Sequence, residues 1–230
     1  MKNKSLLAVV IALVLFSCGD TFVYKGDSHS RGKTKIFVEE SFKPLFETSI
    51  YTFESQYHSA DINAVYCTEK QAIDSFIANK TKTLFITRDF TDVEKVKLRK
   101  SQVEVRSEIL AHDAIALIIH PDNIDSNITV AGLIEILNGK NSTWNSTQKT
   151  IDVVFDHQNS ANFIYLNKLT KGTPIPSNVF AVNSNKEVIK YVKGHKNALG
   201  VIGVNWISDQ DDQRVLDFLD GIKVMQIAKD

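Results

Sequence analysis

Four short polar stretches hold the side chains of this sequence that could do chemistry. They are Glu39-Glu40-Ser41, Cys67-Thr68, Thr87-Arg88 and Asp156-His157-Gln158-Asn159-Ser160. Each stretch follows an apolar run and precedes a segment with helical periodicity, so each lies between a predicted strand and a predicted helix. Backbone N–H groups and hydroxyls at such helix starts suit an oxyanion, and an arginine adds charge-assisted hydrogen bonds.

Each candidate residue also has a purely structural interpretation. Ser41, Thr68 and Ser160 are of the residue types that commonly cap helices. Arg88 alone could form a surface ion pair, which contributes little to stability. These structural alternatives stay open at the level of the sequence.

The polar stretches give little support for catalysis. Asp156-His157 and Glu39-Glu40 could supply acid and base groups, but adjacent residues on one loop rarely point at one atom. The sequence has no Gly-x-Ser-x-Gly elbow, no phosphate-cradling glycine loop and no zinc signature. We therefore expect a binding protein rather than an enzyme, with no catalytic residue, no cofactor and no metal.

Alternating strands and helices must position these loops. The run Ala114 to Ile119 is apolar, rich in β-branched residues and followed by Pro121, which predicts a strand buried on both faces. Strand patterns also occur at 34–38, 62–66, 83–87, 151–155, 178–182, 198–204 and 222–227, and helical patterns at 42–57, 69–79, 91–100, 130–137, 160–169 and 185–193. This alternation predicts an α/β fold of mostly parallel sheets flanked by helices.

The central strand divides the predicted domain into two lobes. Residues 34–113 plus the tail 204–230 form the first lobe, and residues 114–203 form the second. The chain crosses between the lobes twice, which makes Asp113, Ala114, Val204 and Asn205 hinge candidates. A ligand in the cleft would contact both lobes only when they are closed and would shift the population toward that state.

The N-terminus predicts a membrane anchor. Lys2 and Lys4 precede an apolar run, Leu6 to Phe16, that is shorter than the roughly 20 residues of a membrane-spanning helix, so residues 1–17 suit a signal peptide. Leu15-Phe16-Ser17-Cys18 resembles the lipobox of bacterial lipoproteins, in which the cysteine is acylated. Residues 18–33 are polar and predict a flexible tether.

Composition excludes some classes of partner. Lys+Arg and Asp+Glu are equal at 27 each, so the overall charge gives no reason to expect nucleic acid as a partner. With Cys18 lipidated, Cys67 is the one remaining cysteine, and an intrachain disulfide is not available.

The order of motifs resembles the phosphate-binding-protein-like branch of the type II periplasmic solute-binding proteins of ABC transporters. Thr87-Arg88-Asp89-Phe90-Thr91 with Glu94 is similar to that branch's Ser-Arg-x-Leu-(Ser/Thr)-x-x-Glu. Ala111 to Ile118 is similar to its joining strand. Ile136-Leu137-Asn138-Gly139 with Trp144, then Asn159-Ser160 and Ala198 to Gly203, follow in the family's order.

The resemblance implies a two-lobed fold and a ligand held by Ser41, Thr68, Arg88, Ser160 and Asn162, with Glu40 and Asp156 on the ligand loops. Asp156 stands where the family has an arginine, and Ser160-Ala161-Asn162 replaces its Ser-Gly-Thr. A carboxylate beside a bound dianion repels it. The resemblance implies a small anion as the ligand. Phosphate is a candidate, but these departures disfavour it.

The resemblance also implies an ABC permease as the partner, a monomeric binding protein, and a lipid-anchored location in the periplasm or at the outer membrane of a bacterial cell envelope. The family leads us to expect further chain after Ile227 that completes the first lobe, so the lobe is either reduced or the sequence is truncated. The alternative function is a membrane-anchored sensor or scaffold that uses the same fold to bind a partner protein.

Overall fold

A computed structural model describes residues 26–228. The predicted signal peptide, Cys18 and the first part of the predicted tether lie outside the described residues. The strands are β1 (Gly32–Glu39), β2 (Ala60–Cys67), β3 (Thr83–Phe85), β4 (Ile115–Ile119), β5 (Asn127–Thr129), β6 (Asp152–Phe155), β7 (Val179–Ala181), β8 (Ala198–Gly203), β9 (Lys223–Val224) and β10 (Gln226–Ala228). The helices are α1 (Lys43–Gln56), α2 (Glu69–Ile77), α3 (Asp92–Lys100), α4 (Val130–Leu137), α5 (Ala161–Leu169), α6 (Asn185–Gly194) and α7 (Gln213–Leu219).

The first lobe contains a three-stranded parallel sheet in the order β2-β1-β3. β1 lies in the middle, and its second half is buried, from Ile36 through Glu39. On this lobe α2 and the segment around α3 bury a small core of Ile73, Phe76, Phe90 and Leu98. The carboxyl end of β1 therefore opens into the interior of the molecule rather than into solvent.

The second lobe contains a five-stranded mixed sheet in the order β7-β6-β8-β4-β9. β6 pairs in parallel with β7 and β8, whereas β4 pairs antiparallel with β8 and β9. Alternate residues of β4 enter different cores: Leu117 and Ile119 face α4 and α5, and Ala116 and Ile118 face α6. The prediction of a strand buried on both faces is confirmed.

Local sequence signals account for most helix boundaries. A capping box begins α2, since Thr68 Oγ1 accepts from the Gln71 amide and the Gln71 side chain accepts from the Thr68 amide. Gly139 follows α4 with a φ of +70°, a left-handed conformation that glycine adopts without a Cβ clash and that commonly ends a helix.

The C-terminal tail differs from the sequence-based division into lobes. We expected residues 204–230 to complete the first lobe, but β9 pairs with β4 of the larger sheet, and Phe218, Leu219 and Ile222 pack into its core. The single strand predicted at 222–227 is two short strands, and β10 pairs with β5 instead. Apolar burial against α6 explains this placement.

One helix leaves its apolar side partly uncovered. α1 lies within the predicted helical pattern 42–57 and has Pro44 in its first turn, yet none of its residues is fully buried, and Tyr51 is 74% exposed. Among residues 26–228, every helix is too short or too polar to cross a membrane.

Candidate functional site

The loops that follow β1 and β6 meet where the two lobes face each other. Glu39 is the last residue of β1, and Asp156 follows β6 directly. We call the group of polar side chains at this place the seam cluster. Its members are Glu39, Glu40, Ser41, Asp156, Ser160, Asn162 and Asn185.

The first-lobe part of the seam cluster is built around Glu39, whose side chain is fully buried. Its Oε2 accepts hydrogen bonds from the Ser41 amide, at 3.0 Å, and from the Ser41 hydroxyl. These bonds fix the 3₁₀ turn Glu40–Phe42 that leads into α1. The other oxygen, Glu39 Oε1, is buried and has no hydrogen-bond partner among the described residues.

The second-lobe part is built around Asp156, which is 1% exposed. Its Oδ1 accepts from Ser160 Oγ at 2.5 Å, and its Oδ2 accepts from Asn162 Nδ2 at 3.2 Å. Ser160 also caps α5, because its Oγ accepts from the Phe163 amide at 3.1 Å. The predicted residues Asp156, Ser160 and Asn162 therefore lie together at the start of α5.

Asn185 joins the two parts and was not among the predicted site residues. Its Nδ2 donates to Glu40 Oε2 at 2.9 Å and to Asp156 Oδ2 at 3.1 Å, so one amide touches carboxyl groups from both lobes. Its Oδ1 accepts from Asn162 Nδ2 and from the Gly203 amide, each at 3.1 Å. The sequence feature that could have identified Asn185 is its position as the first residue of a helix that follows a strand of the same sheet.

Burial raises the pKa of all three seam carboxyl groups. It raises the pKa of Glu39 to about 8 and that of Asp156 to about 6, although hydrogen bonds from Ser41 and Ser160 oppose the change. The pKa of Glu40 is also raised, first by burial, while Asn185 and Lys43 act in the opposite direction. Repulsion from Asp156 adds to the increase for both glutamates.

The surroundings of the seam cluster do not neutralise its carboxyl groups. Cys67 pairs with Glu39 across β1 and β2, and burial together with the Glu39 charge raises the pKa of its thiol to about 11. None of the salt bridges within residues 26–228 involves Glu39, Glu40 or Asp156. The seam cluster is therefore rich in acceptors.

Two predicted site residues lie outside the seam cluster. Thr68 is the N-cap of α2. Arg88 donates from both terminal nitrogens to the carboxylate of Glu94, at 2.9 Å each, and its Nε lies 3.7 Å from the buried Glu69. The Arg88 hydrogen bonds lower the pKa of Glu94 to about 2. The guanidinium of Arg88 therefore binds carboxylates of the first lobe, Glu94 and Glu69.

The hinge candidates lie side by side. The Val204 amide donates to the Ala114 carbonyl at 2.8 Å, and Asn205 Nδ2 donates to Asp113 Oδ2 at 3.1 Å. The two chain crossings are therefore coupled to each other, next to Gly203 and the seam cluster.

A separate surface groove of about 580 Å³ lies between α1 and the loop before α7. It is lined by Glu47, Tyr51, Asp209, Asp211 and Arg214 among others, and an Arg214–Glu47 salt bridge of 2.8 Å crosses it. It contains none of the predicted site residues. Within residues 26–228, no group of three or more His, Cys, Asp or Glu side chains is arranged to hold a metal ion.

These features define a two-lobed α/β binding-protein fold of type II, and solved structures share it. A putative phosphate ABC transporter substrate-binding protein with bound phosphate from Clostridium perfringens is 18% identical, with a TM-score of 0.69 over 85% of this chain and 76% of that one. An ABC-type phosphate transport receptor from Vibrio cholerae is 16% identical, with a TM-score of 0.59 over 84% and 76%. The reduced form of the regulatory domain of OxyR2 from Vibrio vulnificus is 11% identical, with a TM-score of 0.58 over 89% and 84%.

The sequence itself gives the family. Residues 25–230 match the family PBP_like_2, described as a PBP superfamily domain, and the chain belongs to that family. A search of curated proteins found no match. The family is one of binding proteins rather than enzymes, and the predicted type II binding-protein fold and family resemblance are confirmed.

Proposed function

We propose that this chain is an extracytoplasmic solute-binding protein, anchored through lipidated Cys18, that holds a small ligand at the seam cluster and delivers it to an ABC permease. The observation that carries the proposal is the convergence of the β1 and β6 loops with Asn185 between them. In open α/β sheets, ligands bind beyond the carboxyl ends of the strands. A ligand that contacts both loops would favour the closed state of a monomer.

The nature of the ligand is a separate question from the binding role. Two of the solved relatives are described as phosphate-binding or phosphate-transport proteins. A phosphate dianion at this seam would face Glu39 and Asp156, and Arg88 is already paired with Glu94. Phosphate is therefore a candidate only in a protonated form that can donate a hydrogen bond to the Asp156 carboxylate.

Mass spectrometry of released small molecules tests the binding role. The full-length protein is purified natively from its membrane, unfolded, and the released fraction is compared with that of an unrelated lipoprotein. We expect one compound in near-stoichiometric amount that raises the melting temperature when added back, by mass action. Recovery of no such compound, together with no stabilisation by any added solute, would count against a solute-binding role.

A second function, a membrane-anchored sensor or scaffold, is favoured by one observation. Asn185 already links Glu40 of the first lobe to Asp156 of the second with the chain's own atoms. A protein held closed in this way could present a constant surface to a partner protein. Cross-linking in intact cells that recovers a stoichiometric partner other than a permease, without any released solute, would support this alternative.

The membrane anchor has its own test. Cys18→Ala removes the acylated side chain, and acyl chains contribute about 0.8 kcal/mol of membrane affinity per buried methylene. We expect the variant to move from the membrane fraction to the soluble fraction after cell lysis. A variant that stays membrane-bound after a carbonate wash would contradict lipidation at Cys18.

A further inference from the structure

The extended segment between α3 and β4 has no partner for its backbone. Residues 103–114 contain no turn, bend, helix or strand. Within the part of the chain that the structure describes, the N–H and C=O groups of residues 104–113 form no backbone–backbone hydrogen bond. The tail that was expected to complete the first lobe pairs with β4 and β5 instead. Extended backbone with free donors and acceptors is a template for pairing with another strand.

One end of this segment is attached to the first lobe, and the rest faces solvent. Val103 and Val105 pack against the small core that α2 and the segment around α3 bury. Every residue from Arg106 to Ala114 is exposed. Ile109 and Leu110 are 82% and 71% exposed. Proteins usually cover or charge an edge that combines unpaired backbone with exposed apolar side chains, so this edge is suited to an interaction.

The sequence of the segment is complementary to itself when two copies run antiparallel. With Ser107 opposite Ser107 of a second copy, Val105 lies opposite Ile109. In the same register, Arg106 lies opposite Glu108. Apolar pairs and opposite-charge pairs directly across an antiparallel ladder stabilise it, and two-fold symmetry makes each of these two pairs occur twice. Because Val105 packs against the core of the first lobe, the second copy's Ile109 would be covered there.

The charges also determine the register. Neighbouring registers place Arg106 opposite Arg106, or Glu108 opposite Glu108, and like charges directly opposite each other destabilise a ladder. Within one copy, Arg106 Nη2 already lies 2.6 Å from Glu108 Oε1, with 88% and 59% of the two side chains exposed. Pairing with Ser107 at the centre would join two such ion pairs into a ring of four alternating charges.

We infer that residues 105–109 pair antiparallel with the same residues of a second copy of this chain, with a two-fold axis at Ser107. This pairing goes beyond the proposed function, since it involves no member of the seam cluster and each copy closes around its own ligand. Five paired residues form a small interface, and small interfaces are weak. A copy in dilute solution is therefore the monomer that the resemblance implied. Anchoring through Cys18 would raise the effective concentration of copies on one membrane.

Disulfide trapping in native membranes tests the pairing on the full-length protein. Ser107→Cys would place two thiols opposite each other, with Cα atoms about 4.5–5.5 Å apart, within the range of about 4.4–6.8 Å that a disulfide requires. The substitution removes one exposed hydrogen bond, from Ser107 Oγ to Asp89 Oδ1. Under mild oxidation we expect a disulfide-linked dimer. Ser101→Cys, also exposed but outside the paired residues, is the matched control and should form none.

The wild-type protein controls for the native thiol. Burial and the charge of Glu39 raise the pKa of the Cys67 thiol to about 11, so little reactive thiolate is present at neutral pH. We expect no dimer from the wild type under the same oxidation.

Charge reversals in the Ser107→Cys protein test the register. Arg106→Glu places four negative charges at the centre, and Glu108→Arg places four positive ones, so we expect each to slow the cross-linking by about tenfold. Both substitutions together restore alternating charges and should restore the rate. Both side chains are exposed, so the melting temperatures of these variants should stay close to that of the Ser107→Cys protein.

Three results would overturn the self-pairing. The first is a Ser107→Cys dimer no more abundant than that of Ser101→Cys. The second is an equal rate for the single and double charge reversals, which would indicate random collision on the membrane. The third is a disulfide-linked adduct with a different protein in place of the dimer, which would assign the segment to another partner. The solute-binding function is tested separately by the released small molecules.

Discussion

Glu39 ends β1 with a fully buried carboxyl group whose pKa is raised to about 8, and this has a consequence for stability. Between the ordinary glutamate pKa of about 4.3 and a pH of about 8, the folded protein keeps a proton that the unfolded chain releases. The stabilising effect of that proton is fully present below a pH of about 4.3, the ordinary glutamate pKa. It is lost as the pH rises through the folded pKa, so the free energy of unfolding must fall across this window.

Glu39→Gln should therefore stabilise the protein above about pH 8 and flatten the pH dependence of its unfolding free energy. One pKa unit corresponds to about 1.4 kcal/mol, so a gain of several kcal/mol near pH 8 is the expected order of magnitude. Urea unfolding at a series of pH values measures it, with Glu104→Gln as the exposed control. A variant that follows the wild-type pH profile would show that Glu39 is ionised at neutral pH in the folded state.

Single residues also show how far the site could be predicted. Asp156 and Ser160 were expected at one place because they lie between a predicted strand and a predicted helix, and Asn162 was added by the family resemblance; the structure brings the three together. Asn185 was missed, since it is 29 residues from Asp156 in sequence and looks like an ordinary helix start. The role of Asn185 depends on the order of strands in the sheet, which local sequence patterns do not reveal.

At the scale of elements, the packing of α6 on β8 controls the second lobe. Gly200 of β8 lies under this helix, and an added Cβ would be 2.7 Å from Val192 Cγ2 and 2.7 Å from Ile118 Cγ1. Those neighbours are fully buried, so they have little room to move. The glycine is required here by close approach of a helix and two strands.

Gly200→Ala should lower the unfolding free energy by about 1–3 kcal/mol, the usual cost of overpacking a core. Gly194→Ala is the matched control, because an added Cβ at the end of α6 meets nothing within 4 Å. We expect that control to be neutral or slightly stabilising. Equal unfolding midpoints for the two variants in urea would mean that the α6–β8 contact is looser than the structure indicates.

Most elements could be predicted from periodicity and capping residues, but their assembly could not. α4 has the predicted bounds, Val130–Leu137, and α2 begins at Glu69, where the predicted helical pattern begins. α7 was not predicted, since it is only seven residues long and follows an acidic loop. The tail was expected in the first lobe, yet β9 pairs with β4. Strand pairing between distant segments is decided by apolar burial over the whole domain.

At the scale of the whole molecule, polar contacts connect the two lobes. Asn185 of α6 reaches Glu40 in the first lobe, and Asp113 and Asn205 couple the two chain crossings. Polar contacts of this kind can be replaced by those of a ligand with little net change in free energy. This is the property that a binding protein needs in order to open and close.

Asn185→Ala should therefore both destabilise the protein and shift the lobes apart. The substitution removes the hydrogen bond to Glu40 and leaves the buried Gly203 amide and Asp156 short of partners, at a cost of about 2–4 kcal/mol. Small-angle X-ray scattering at neutral pH should show a larger radius of gyration than for the wild type. Asn183→Ala, which loses only the side-chain hydrogen bond to Glu187 near the start of the same helix, should leave the scattering unchanged. If Asn185→Ala lowers the stability but not the compactness, Asn185 serves the second lobe alone, and the opening of the lobes is governed by the coupled crossings at Asp113 and Asn205.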